Sequence, residues 1–169
     1  MNKRTAVSIF VFSTLLILVG VNGSTRTAAA QDENEFTTEL SGKSVVPPTD
    51  AQATGLAEFQ VMGTESIQYN INASNIQNVT SGQIHEGIEG QNGAMLVELF
   101  FYDTPMNQVS ESGTITEDDF QGGTTTSQQQ FTDFITAMRV GGTYVSISTE
   151  QNPDGEIRGQ ITGLAGTGN

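Results

Sequence analysis

The stretch that decides the fold is YVSISTEQNPDGEIRGQI, which occupies residues 144–161 of the 169-residue chain. Apolar and polar side chains alternate at 145–148 and again at 157–161, as they do in strands that bury one face. The Pro-Asp-Gly sequence at 153–155 lies between the two runs and is typical of a tight turn. The stretch therefore predicts a β-hairpin near the end of the chain.

Strand patterns recur upstream of this hairpin. Short runs rich in β-branched and aromatic residues predict further strands at residues 36–40, 57–61, 67–71, 83–85, 94–101 and 112–116. The run at 94–101 is apolar on both faces, which predicts a central strand covered on both sides. About eight short strands predict a mainly β fold, an antiparallel β-sandwich or barrel.

One segment has the periodicity of a helix. Its apolar side chains, which recur at offsets of 0, 3, 4 and 7, are Phe131, Phe134, Ile135 and Met138. These offsets place them on one face, so we predict one short helix over about 128–138. The glycine pair at 141–142 ends the helix. Before it, Thr116 followed by three acids predicts a capped turn.

The N-terminus predicts the destination of the protein. A basic start at 2–4 precedes an almost wholly apolar run at 6–21, and the alanines at 28–30 form a small-residue cleavage site before Gln31. These features predict a signal peptide at residues 1–30 and a secreted or cell-surface protein with no membrane association after cleavage. The alternative is an uncleaved anchor, although the apolar run is shorter than the roughly 18–20 residues that a spanning helix needs.

The rest of the chain fits one domain. We expect a flexible leader at 31–35, a β domain at 36–164 and a flexible tail at 165–169. The chain contains no cysteine, so the core must stabilise the domain without disulfides. From residue 31 onward the chain retains all 19 acidic residues and three basic ones, a net charge of −16. Such a surface repels nucleic acid; it indicates solubility or, alternatively, weak collection of divalent cations.

Five blocks of sequence resemble the CHRD (chordin-type) domain, in the form found in secreted microbial proteins. They are FTTELSGKSVVPP at 36–48, TGLAEF at 54–59, the glycine-rich block at 74–93, GTIT at 113–116 and the closing GEIRGQI. The residues that carry the motif are Pro47, Pro48, Gly55, His85, Gly87, Gly93, Gly155, Glu156, Arg158 and Gly159. The resemblance implies an immunoglobulin-like β-sandwich or barrel, and it implies no particular reaction.

The chain departs from that family where metal chemistry is most expected. The central block commonly reads HIH, whereas here it is Gln83-Ile84-His85; the closing strand commonly reads VNVHT, whereas residues 145–149 are VSIST. The two family patterns contain three histidines, and of these this chain retains only His85. A lone histidine cannot assemble a His-rich zinc or copper site, which also weakens any analogy with copper–zinc superoxide dismutases. We therefore expect no cofactor and no enzymatic activity.

Four residues are weak metal candidates, each with a structural alternative. His85 and Glu86 border the glycine-rich loop, where they form either a titratable binding edge or a polar strand end. Asp118 and Asp119 would suit Ca²⁺, but acids at the start of a helical turn explain them equally, and the spacing is not that of an EF-hand.

Two further kinds of candidate site residue are Arg158, beside Glu156, and the asparagines of two N-glycosylation sequons. Glu156 and Arg158 are two residues apart, which predicts that they share a face. We expect the Arg158 guanidinium to bridge carboxylates or loop carbonyls, with a ligand carboxylate as the alternative. Asn72 and Asn78 begin N-glycosylation sequons.

Taken together, these features predict a secreted or cell-surface module that binds or supports an unknown protein or envelope component. The alternatives are a metal-dependent enzyme and a divalent-cation-binding surface protein.

Overall fold

The computed structural model describes residues 34–120 and 127–163. The predicted signal peptide, most of the predicted leader and the predicted tail lie outside these residues. Within them, no helix is both long enough and apolar enough to cross a membrane. The strands are β1 (Glu35–Ser41), β2 (Thr54–Met62), β3 (Ser66–Ser74), β4 (Val79–Glu86), β5 (Met95–Met106), β6 (Val109–Thr116), β7 (Thr143–Thr149), β8 (Ile157–Gln160) and β9 (Thr162–Gly163).

The strands form one antiparallel sheet that almost closes into a barrel. Their order is β5-β4-β7-β8-β1-β2-β3-β6, and β9 pairs with β1. The two edge strands, β5 and β6, are consecutive in sequence, and tyrosines link the strands across the remaining gap. The Tyr69 hydroxyl on β3 donates to the Leu99 carbonyl at 2.6 Å, and Tyr102 donates to Glu111 at 2.8 Å. The predicted mainly β, antiparallel fold is confirmed, with a barrel-like sheet as its closest description.

The single predicted helix is also confirmed. Helix α1 spans Ser127–Arg139, one residue beyond the prediction at each end. All four members of its predicted apolar face are buried in the core, and Phe120 packs edge-on against Phe131 and Phe134. Gly141 has a positive φ of 66°, and the N–H of Gly142 donates to Ala137 O at 2.7 Å, as in helix ends closed by glycine.

The strand predicted at 94–101 is present, but its predicted central location in the sheet is wrong. This strand, β5, lies at an edge of the sheet order, and Phe101 is 60% exposed. The strand is apolar on both faces because the β4–β5 register contains an irregularity, which pairs Gly82 with Phe100 but Gln83 with Glu98. The bulge lets the consecutive residues Leu99 and Phe100 both be buried. The apolar run at 94–101 therefore has the sequence pattern of a strand covered on two faces, although the strand lies at an edge.

Candidate functional site

Arg158 lies at the centre of a polar cluster that also contains His85, Asn92 and Tyr144. It belongs to β8 and is only 3% exposed. Its guanidinium donates to the Asn92 side-chain oxygen at 3.0 Å and to the Ile88 carbonyl at 3.1 Å. Both acceptors lie in the loop between β4 and β5. Of the two partners expected from the sequence, loop oxygens and carboxylates, the structure shows the loop oxygens.

An aromatic ring supports the buried cation. The guanidinium carbon of Arg158 lies 3.4 Å from the centre of the Tyr144 ring, a distance at which a cation is attracted to the ring face. Burial lowers the pKa of Arg158, while Tyr144 and Glu89 oppose that shift. The neutral oxygens and the ring thus hold a charge that has been removed from water.

His85 packs against the same ring. Its imidazole stacks on Tyr144 with centres 5.1 Å apart and planes 10° apart. Because β7 lies between β4 and β8, Tyr144 separates His85 from Arg158. Both imidazole nitrogens have partners: Nδ1 is 3.2 Å from the Gly93 carbonyl and Nε2 is 3.1 Å from the Gln83 side-chain oxygen. This histidine fixes the loop that follows β4.

The surroundings of His85 lower its pKa and so favour the neutral imidazole. Burial is the main cause that lowers its pKa, and the charge of Arg158 lowers it further. The hydrogen bond with the Gly93 carbonyl raises the pKa and only partly offsets these effects. The neighbouring candidate Glu86 ends β4 and is exposed. The structure gives His85 a structural environment, with both nitrogens already engaged.

Glu156 has different partners from Arg158. It lies just before β8, and its carboxylate accepts hydrogen bonds from Thr149 at 3.1 Å and from the Asn152 amide. Its backbone carbonyl accepts a hydrogen bond from Thr49 at 2.8 Å. Glu156 therefore closes the turn at 150–156 and ties it to the loop that follows β1.

The motif glycines lie where a side chain has no room. A Cβ on Gly159 would lie 2.2 Å from Thr38 Oγ1, and one on Gly93 would lie 1.9 Å from the Glu86 carbonyl. Equivalent Cβ atoms would lie within 3.0 Å of a neighbouring atom at Gly55, Gly87 and Gly155. These residues let the strands and loops around the polar cluster approach closely.

The polar cluster and Glu156 each brace one wall of the same cleft. The cleft has a volume of about 690 Å³ and lies between residues 45–51 and the turn at 151–156. The first wall is held by the Asn92 amide, which donates to the Val46 carbonyl at 2.7 Å while its oxygen accepts from Arg158. The second is held by Glu156. The lining includes Pro47, Pro48, Asp50, Pro153, Asp154 and Glu156.

Sequence reasoning did not predict this cleft. It identified the paired prolines and the Pro-Asp-Gly turn as separate turns, more than a hundred residues apart in the chain. Their meeting depends on the pairing of Ser41 with Arg158 between β1 and β8. The only available signal was that both turns belong to the recognised motif.

The comparison with protein families agrees with this architecture. A model of the CHRD domain matches residues 36–161. The chain belongs to the CHRD domain family. A comparison with curated proteins finds no significant match. In this CHRD domain the matched region includes both walls of the cleft, the residues of the polar cluster and Glu156.

The remaining candidates lie elsewhere on the CHRD domain. Asp119 caps its turn, because its carboxylate accepts from the Thr116 backbone at 2.7 Å and from the Thr116 hydroxyl at 2.9 Å. Asp118, beside it, is exposed. Across residues 34–120 and 127–163, no group of three or more histidine or carboxylate side chains converges on a metal-sized position.

Both sequon asparagines are exposed. Asn72 lies within β3, and its amide donates to Asn70 at 3.1 Å. Asn78 has a positive φ of 53° and comes directly before β4. The two sites therefore differ in backbone setting, one within a paired strand and one in a turn.

Proposed function

We propose that this CHRD domain is an exported binding module without catalytic activity, and that it presents the cleft between residues 45–51 and 151–156 to a protein or envelope component. The observation that supports this most directly is the use of the motif side chains. Arg158 and Glu156 form internal hydrogen bonds, and each fixes one wall of the same cleft. A cleft with two braced walls is pre-organised, which reduces the entropy lost on binding.

The chemistry of the braces favours binding over catalysis. A general base needs a lone pair within reach of a substrate, whereas both nitrogens of His85 lie within hydrogen-bond distance of protein groups, the Gly93 carbonyl and the Gln83 side chain. The proposed export depends on the N-terminal sequence, in which a basic start, an apolar run and small residues precede Gln31.

Site-directed photocrosslinking tests the proposed surface. A photoreactive residue would replace Pro48 or Asp154, one on each wall, in residues 31–169. The control position is Thr64, which is exposed in the β2–β3 turn at the far end of β2 from the cleft. Each protein is irradiated with an envelope fraction from the producing cells. We expect one crosslinked component at both cleft positions and none at Thr64. Equal yields at all three positions, or no crosslink at all, would contradict the proposal.

A further inference from the structure

We infer that the cleft binds a basic segment of a partner polypeptide, through a lysine or arginine side chain. Its methylene stem would lie on the prolines, and its charged head would meet Asp50 and Asp154. This inference rests on the proposed function, because it assigns the chemistry of the partner to the same cleft.

The charges of the cleft have one sign. The residues that line it include three carboxylates and no lysine, arginine or histidine. Asp50 and Asp154 are exposed and belong to opposite walls, so both can approach one cation between them. The carboxylate of Glu156 already accepts two hydrogen bonds within its turn. The net charge of −16 from residue 31 onward adds a long-range attraction for basic partners.

The apolar part of the lining favours a long side chain over a bare ion. Pro47 and Pro48 on one wall and Pro153 on the other are all exposed. Lysine and arginine place their methylene stems on such apolar surface while the head group remains at charged or wet positions. A divalent ion would instead need several converging carboxylates, and the described residues form no such group.

The dimensions and rigidity of the cleft suit a polypeptide segment. A volume of about 690 Å³ lies within the range of roughly 300–1,000 Å³ for ligand pockets and accommodates one or two large side chains. Proline rings and hydrogen-bonded walls do not have to become ordered on binding. The inference therefore commits to an extended basic segment that inserts its side chains between the walls.

Fluorescence anisotropy with labelled hexa-arginine, hexalysine and hexaglutamate tests this. The full-length protein, as exported by its expression host, is compared with Asp50→Asn/Asp154→Asn and with Glu117→Gln/Asp118→Asn. Both double variants remove two exposed charges, but residues 117–118 follow Thr116, which pairs with Ser66 at the end of β3 far from the cleft. We expect the basic peptides to bind and the cleft variant to weaken binding roughly tenfold at low salt. The control variant should change it less than about threefold.

Each other outcome contradicts a defined part of the inference. Equal weakening by the two variants would show general attraction to an acidic surface, and absence of binding by the basic peptides would refute the basic partner. Displacement of the peptides by spermidine or CaCl₂ at equal concentration would identify a small cation as the ligand. If the envelope crosslinks at Pro48 persist in Asp50→Asn/Asp154→Asn, the proposed function stands and only the basic chemistry fails.

Discussion

Replacement of Arg158 by alanine tests whether this side chain holds the fold together or contacts a ligand. Arg158 is 3% exposed, and its guanidinium donates two hydrogen bonds and lies 3.4 Å from the centre of the Tyr144 ring. Alanine removes all three interactions and leaves a buried space. It also frees the loop that holds the Val46 carbonyl through Asn92. We therefore expect a large loss of stability.

The magnitude follows from these contacts. A hydrogen bond that involves a charged group contributes roughly 1.5–3 kcal/mol, and a desolvated guanidinium over an aromatic ring adds roughly 1–2 kcal/mol. Relief of the penalty for burying the cation offsets part of that sum. The expected loss is about 3 kcal/mol of unfolding free energy. Arg158→Lys should recover about 1 kcal/mol of it, because an ammonium lacks the planar fork that reaches both acceptors.

Urea denaturation of residues 31–169 measures this loss. With a urea dependence of roughly 1–3 kcal/mol per molar, the midpoint should fall by roughly 1–3 M. Arg139→Ala is the matched control, because Arg139 is exposed at the end of α1 and should contribute less than about 1 kcal/mol. An unchanged midpoint in Arg158→Ala, combined with loss of the crosslinked partner, would refute the reasoning and make Arg158 a ligand contact.

Three further predictions concern stability and export. Gly159→Ala should destabilise the domain by roughly 1–3 kcal/mol, because the new Cβ would lie 2.2 Å from Thr38 Oγ1, whereas Gly163→Ala, with nothing within 4 Å, should be neutral by the same urea assay. Since folding lowers the pKa of His85 below its ordinary value of 6.5, its contribution to stability should be complete above about pH 6.5 and be lost as the pH falls below that value. His85→Gln should flatten the dependence of the urea midpoint between pH 7 and 5.5, and an unaltered slope would contradict this. N-terminal sequencing of protein from the native host should find Gln31 first, and a membrane-bound form that starts at Met1 would show an anchor instead.

The elements were predictable because their signals are local. Alternation over a few residues marked the eight main strands, and four apolar positions marked α1. The edge position of β5 was not predictable, because it depends on which strands pair, and a bulge near Leu99 places two consecutive apolar residues in the core. Periodicity identifies a strand, but the sheet order depends on pairings between distant segments.

The chemistry of the site was only partly predictable. Sequence reasoning named Arg158, Glu156 and His85, and it named loop oxygens among the partners of Arg158. It could not specify Asn92 or Ile88, which lie 66 and 70 residues away in the chain. Nor could it show that Thr49 reaches the Glu156 carbonyl across 107 residues. These contacts depend on β4, β7, β8 and β1 being successive neighbours in the sheet.

This arrangement changes how binding data on the motif should be interpreted. Arg158 is buried and is linked to the cleft through Asn92 and the Val46 carbonyl, whereas Asp50 and Asp154 are exposed on the cleft walls. A weaker partner affinity in an Arg158 variant would therefore accompany lost stability, because both follow from a loosened wall. Variants of Asp50 or Asp154 are instead expected to show weaker affinity at unchanged stability. Among the residues that identify the family, Arg158 and Glu156 thus support the cleft walls, whereas the proposed specificity is assigned to the exposed turns that they hold in place.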